Sequence, residues 1–155
     1  MIKMEFTKKD LNKTIWVKQT DQEKNRVWYR VDASGKTLWR LAVDVAKKLA
    51  GKDKSYYSDF WDAGSFVIVE NVDQIAVSWK KLTDKVYYSY SGYKGNVKSI
   101  TLGELLKKNP SKALRFAVRG MLPKNKLRDA RMKRLKLIKG TTTKYDNFKP
   151  VNLYK

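Results

Sequence analysis

Residues 26–51 read RVWYRVDASGKTLWRLAVDVAKKLAG, and the fold class is decided within them. Over 26–31, Val27, Tyr29 and Val31 alternate with Trp28 and Arg30, the period of two that sends neighbouring side chains to opposite faces of a strand. Asp32-Ala33-Ser34-Gly35 has the composition of a turn. From Thr37 the period lengthens: Leu38, Leu41, Ala42, Val45, Ala46 and Leu49 share one helical face for three turns. Asp44 and Lys48 form an i,i+4 pair on the outer face, and Gly51 supplies a stop. A strand, a turn and an amphipathic helix in succession open an α/β domain.

Downstream, Phe66-Val67-Ile68-Val69 is continuously apolar between turn signals, as a strand covered on both faces would be. Asn71 to Asp73 turns the chain, Ile75-Ala76-Val77 predicts a second short strand, and Lys85 to Tyr90 a third. Thr101 followed by Glu104 has the spacing of a capping box for a short helix carrying Leu102, Leu105 and Leu106. Leu135 to Ile138 is a candidate strand, and residues 141–155 read as a loosely held tail. Upstream, residues 1–25 are polar and Lys-rich and read as a surface arm pinned through Trp16. The pattern predicts an α/β domain over 26–140 with a mainly parallel or mixed sheet of about four strands.

The 155 residues suffice for one domain burying roughly two-thirds of its unfolded surface. With 42% hydrophobic residues the chain can build a core although 32% of it is charged. No apolar run approaches the ~20 residues of a membrane span. The first residues, MIKMEFTKKD, lack a signal peptide's apolar centre, so the expected location is cytoplasmic. Cys and His are both absent, which removes disulfides, thiolate nucleophiles, Ser-His-Asp triads, the usual zinc ligands and the commonest general base.

Charge supplies the functional signal. The net charge is +20, and the segment 111–140 holds eleven Lys and Arg against the single acid Asp129, a net +10. Leu114, Ala117, Val118 and Met121 keep helical spacing inside it, with Lys112, Arg115 and Arg119 opposite, Ser111 as expected N-cap and Gly120 as expected stop. A second helix is expected from near Lys124, basic on most sides, with only Leu127, Ala130 and Leu135 available for packing. Runs of charge are often merely solvated. Here their density and single sign favour a polyanion, which would relieve the chain's self-repulsion. The weak apolar face disfavours a membrane surface.

Other constellations are weighed against blander readings. Gly35-Lys36-Thr37 sits where a phosphate loop of a nucleotide-dependent phosphotransferase would, but Arg30 occupies the position of the required first glycine. Asp59 and Asp62 could share a divalent ion, although turn and capping roles suit a basic chain better. The tract Tyr87-Tyr88-Ser89-Tyr90-Ser91-Gly92-Tyr93-Lys94-Gly95 interleaves rings with a positive loop; its rings can stack on unpaired bases, and Tyr90, Tyr93 and Lys94 are candidates for RNA contact, although alternate tyrosines of an ordinary strand are core.

Taken together, Val27 to Leu38 with Arg40-Leu41-Ala42, Asp62-Ala63-Gly64, Asp84-Lys85-Val86-Tyr87-Tyr88, and Val118-Arg119-Gly120-Met121-Leu122-Pro123-Lys124 resemble the bacterial-type ribosomal large-subunit protein thirteen family, motif by motif in order. The likeness covers roughly residues 26–140. It departs where Asn125-Lys126-Leu127-Arg128-Asp129 replaces the family's common Gly-Pro-Leu-Gly-Arg, and where Tyr90 and Tyr93 stand near its usual histidines. The resemblance implies a three-layer α/β/α sandwich that binds large-subunit ribosomal RNA early in assembly, beside neighbouring ribosomal proteins, with no catalytic role, small-molecule substrate, metal or cofactor. The expected RNA contacts are Lys36, Arg40, Lys52, Lys54, Tyr90, Tyr93, Lys94, Arg115, Arg119, Lys124, Lys126, Arg128, Arg131, Lys133, Arg134 and Lys136. A stand-alone regulatory RNA-binding protein is the alternative.

Overall fold

The computed structural model describes residues 26–154; the arm expected over 1–25, with its pin at Trp16, lies outside them. In chain order the elements are β1 (Trp28–Asp32), α1 (Leu38–Ala50), β2 (Phe66–Glu70), α2 (Lys81–Asp84), β3 (Val86–Tyr90), β4 (Val97–Thr101), α3 (Leu102–Lys108), α4 (Pro110–Met121), α5 (Leu127–Lys133), β5 (Leu135–Leu137) and β6 (Val151–Asn152), with single 3-10 turns at Val72–Gln74 and Asp146–Phe148. The main sheet is wholly parallel, in the order β5-β2-β1-β6. The α/β class with a four-stranded sheet is therefore what the chain adopts.

The opening strand, turn and helix form as their periodicity dictates. Gly51, at φ 82°, closes α1 and returns its N–H to the carbonyls of Lys47 and Lys48. That left-handed conformation costs glycine little. Leu38, Leu41, Ala42, Val45 and Leu49 are buried against Val31 of β1, Val67 and Val69 of β2, and Ala113, Leu114 and Val118 of α4. Each fully buried Leu or Val contributes roughly 1.5–3 kcal/mol.

The other face of the sheet is covered by the chain returning from β5 to β6. Trp28 stacks on Phe66 at 4.1 Å and on Phe148 at 4.3 Å, with Tyr145 5.7 Å away. Arg30 bonds Asp146 and lies 3.5 Å from Glu70. Residues 141–155 are accordingly no loose tail up to Tyr154: β6 pairs with β1, Tyr29 opposite Val151. Tyr154 donates its hydroxyl to Asp44 at 2.5 Å. These tyrosine and tryptophan contacts have no periodicity, so the sequence pattern does not announce them.

Other expectations change in detail. Ile75–Val77 makes only a single bridge, Thr37 to Ala76, because the 3-10 turn before it leaves one residue in pairing position. The Tyr-rich strand exists but pairs antiparallel with β4 in a separate sheet, the reversal eased by Gly92 and Gly95 at positive φ. Thr101 and Glu104 form the full capping box of α3. Helix α4 is capped by Asn109, whose side chain accepts from Lys112 N at 3.2 Å, with Pro110 as its first residue; Ser111 lies inside it. The helix also passes through Gly120 to Met121. Helix α5 starts at Leu127, and it buries Arg131 and Met132 while Ala130 is exposed.

Candidate nucleic-acid interface

Helix α4 divides its residues sharply. Ala113, Leu114 and Val118 are buried, while Lys112, Arg115 and Arg119 face outward. After Leu122, the exposed residues Pro123 to Lys126 form a loop that abuts the end of α1, where Lys47, Lys52, Leu122 and Pro123 line one groove. Lys52 is thereby brought to the end of the domain that carries Lys124 and Lys126. Lys47 and Lys48 already sit at the negative end of the α1 dipole, so the carbonyls there add no repulsion to the cluster. Among the described residues, Arg115, Arg119, Lys124, Lys126 and Lys133 meet no carboxylate. Their backbones are positioned by the fold, while their side-chain charges stay exposed.

The three arginines spaced by three along α5 behave differently. Arg128 is half-buried, Arg134 is nearly buried, and Arg131 is fully so. Arg134 grips both carboxylate oxygens of Asp62, NH2 to Oδ1 at 2.6 Å, and lies 3.4 Å from the Leu49 carbonyl. Arg131 Nε stands 3.6 Å from the same carboxylate and Arg26 3.9 Å. Burial alone would raise the Asp62 carboxyl; the hydrogen bonds and charge of Arg134, with Arg26 and Arg131, hold it below the usual carboxylate range. Arg131 and Arg134, expected as RNA contacts, are thus turned inward. The cause is an acid more than sixty residues upstream, which helical spacing cannot reveal. Gly64 completes the fit, since a Cβ there would lie 1.9 Å from the Leu49 carbonyl oxygen and 2.6 Å from Arg134.

Of the remaining sequence-predicted residues, Arg40 and Lys52 are exposed, Lys136 is half-buried in β5, and Lys54 donates to the Ala63 carbonyl at 2.7 Å. Burial lowers the Lys54 ammonium, opposed by Asp53. Lys36 lies under the Tyr154 ring, 3.3 Å from its centroid, and burial lowers its pKa as well. Against the phosphate-loop reading, the backbone donors of the turn are already engaged: Ser34 N goes to Asp32, Gly35 N to the Gln74 carbonyl and Lys36 N to the Ala33 carbonyl. Asp59 accepts from Tyr57 at 2.6 Å, and no group of three or more His, Cys, Asp or Glu among the described residues could hold a metal ion. No described helix is long and apolar enough to cross a membrane.

Tyr90, Tyr93 and Lys94 project from the β3–β4 hairpin, with Tyr88 and Val97 also exposed. On the hairpin's opposite face, Lys98 and the helix residues Lys108, Lys112 and Phe116 line a cleft against Tyr87. These were missed as site residues. The positions alternating with Tyr88 and Tyr90 were legible as a second strand face; that α4 lies opposite them was not.

The chain also matches known proteins. The family described as "Ribosomal protein L13" matches residues 26–144. The large ribosomal subunit protein uL13 of Thioalkalivibrio sulfidiphilus is 47% identical over 128 residues, which are 83% of this chain and 90% of that protein. The protein of the same name from Geobacter sp. is 46% identical over 132 residues, 85% of this chain and 93% of its own length. That of Xylella fastidiosa is 47% identical over 116 residues, 75% and 82% of the two chains.

Proposed function

Because the chain belongs to the ribosomal protein L13 family, and with it to the structural constituents of the large ribosomal subunit, we propose that it binds and stabilises large-subunit ribosomal RNA while the subunit assembles. The observation that carries this reading is the row of exposed cations on α4 and the loop after it, Arg115, Arg119, Lys124 and Lys126, which meet no carboxylate among the described residues and are backed by a packed core. A flexible basic tail would lose conformational entropy on binding; side chains projecting from a folded helix lose less of it. Arg115 and Arg119 can each fork across two phosphate oxygens, whereas the lysines act as mobile point charges. With 27 Lys to 8 Arg, and Arg131 and Arg134 committed to Asp62, charge neutralisation outweighs bidentate recognition. On the hairpin, Tyr90 and Tyr93 offer rings for stacking and Lys94 a charge for a phosphate, and neighbouring ribosomal proteins complete the surroundings.

Sedimentation of cell lysate through a sucrose gradient tests the reading. The protein is expected in the large-subunit peak and should stay there in high salt. Purified protein should bind large-subunit ribosomal RNA with a steep salt dependence. A protein that remains at the top of the gradient in low salt is no ribosomal constituent; one that binds RNA yet stays there is a stand-alone RNA-binding protein.

A further inference from the structure

Between the β3–β4 hairpin and helices α3 and α4 lies a cleft of about 540 Å³ that the cation row on α4 and its loop does not account for. The strand register explains its composition. Tyr87 pairs with Ile100 and Ser89 with Lys98, so these four share one face of the hairpin, opposite to the face of Tyr88 and Tyr90. Tyr87 and Ile100 rest on the core, while Ser89 and Lys98 continue the wall outward. Across the gap stands Phe116, its ring 5.4 Å from that of Tyr87 and 36% exposed. Lys112 Nζ lies 5.6 Å from the centre of the partly exposed Phe116 ring, which places a cation beside the aromatic wall. Lys108 and Asn109 close the end where α3 meets α4. The Asn109 oxygen is engaged as the α4 cap, which leaves its amide nitrogen to donate.

We infer that this cleft receives one unpaired nucleotide of the bound RNA, its base against Phe116 and Tyr87 and its phosphate among Lys98, Lys108 and Lys112. The inference rests on the RNA-binding reading above and names where a single base goes. Three features select this occupant together. Aromatic walls suit a planar ring, and every base has a π-face to offer. Among the described residues, three lysines and no carboxylate line the cleft, which favours an occupant that carries negative charge. The volume falls within the roughly 300–1,000 Å³ of small-ligand sites, enough for a nucleotide and too little for a duplex. An apolar protein segment would leave the lysines unmatched.

The test compares the full chain with Phe116→Leu, which keeps an apolar side chain but removes the ring, in binding to large-subunit ribosomal RNA across a salt series. Stacking should be lost without loss of charge: affinity falls about five- to a hundredfold, while the log–log salt slope stays unchanged. Lys112→Gln should instead make the slope shallower by about 0.7, the single-strand coefficient. A Phe116→Leu chain that binds within twofold of the parent overturns the proposal while leaving RNA binding intact. Failure of the parent chain to bind RNA at all overturns the underlying reading as well. If circular dichroism shows Phe116→Leu unfolded, ultraviolet crosslinking of the parent chain within the assembled subunit decides. A nucleotide adduct on Tyr87 or Phe116 supports the proposal; adducts only elsewhere, or a protein crosslinked into the cleft, overturn it.

Discussion

Replacing Asp62 with Asn keeps the side chain's size while removing the charge that faces Arg26, Arg131 and Arg134. The carboxylate side chain is only 11% exposed, that of Arg134 7% and that of Arg131 not at all, so water cannot take over the lost partner. Removing one member of a buried pair strands the other, at a cost of about 3–5 kcal/mol. Against a total stability of roughly 5–15 kcal/mol that is a large fraction. It corresponds to a fall in Tm of roughly 6–20 °C for a domain of this size. Urea unfolding followed by circular dichroism measures it at pH 7. A pH arm checks the cause. The native Asp62 carboxyl is held below its ordinary value, so the unfolded chain takes up the proton first and stability falls as the pH drops through the depressed native value. Asp62→Asn has no such contribution to lose, so the difference between parent and variant should shrink in acid below about pH 4. A loss under about 1 kcal/mol at pH 7, or a difference that stays constant into strong acid, refutes the idea that this carboxylate holds the arginines.

Three further outcomes follow from the same packing. Leu41→Ala, at a fully buried position of α1, should cost about 2–5 kcal/mol in urea unfolding; under about 0.5 kcal/mol would be incompatible with its place between α1 and the sheet. Gly64→Ala drives a Cβ into the Leu49 carbonyl, so soluble yield and Tm should drop sharply, and a Tm within about 2 °C of the parent would disprove the close approach. Replacing Arg115, Arg119 and Lys124 with Gln should make the salt dependence of RNA binding shallower by about two to three, with the free protein's Tm level or slightly raised; an unchanged slope would remove those residues from the RNA contact.

Periodicity carried the fold a long way. The alternation over 26–31 and the helical spacing from Leu38 to Leu49 each reflect a single apolar face, and both elements form within a residue or two of where the pattern puts them. The Thr101–Glu104 capping box is equally local and equally visible. What stayed hidden depends on partners distant in sequence. Val97 to Thr101 alternates weakly because its outer face is polar or solvent-exposed, and it becomes a strand only by pairing with Val86 to Tyr90. Residues 141–154 carry no apolar period, yet they supply a sheet edge and the rings stacked on Trp28. In the candidate interface the charge density of 111–140 was plain, but charge is not exposure. Arg131 and Arg134 look identical to Arg115 and Arg119 in composition, and only the Asp62 carboxylate separates them.

The pairing of β6 with β1 also sets an order of events. Tyr29 meets Val151 across nearly the whole described chain, and parallel pairings of such separation are closed late because loop entropy must first be overcome. During synthesis from the N-terminus, β1, α1 and β2 are all available long before Val151 emerges. Until then β1 has one unsatisfied edge, and Trp28 lacks the Phe148 ring that later stacks on it. An exposed edge beside a tryptophan with one ring face uncovered is the kind of surface on which nascent chains associate with one another. The last strand and the stacked rings therefore act as a closing seal, and C-terminal truncation before Tyr145 should show itself first as aggregation during expression.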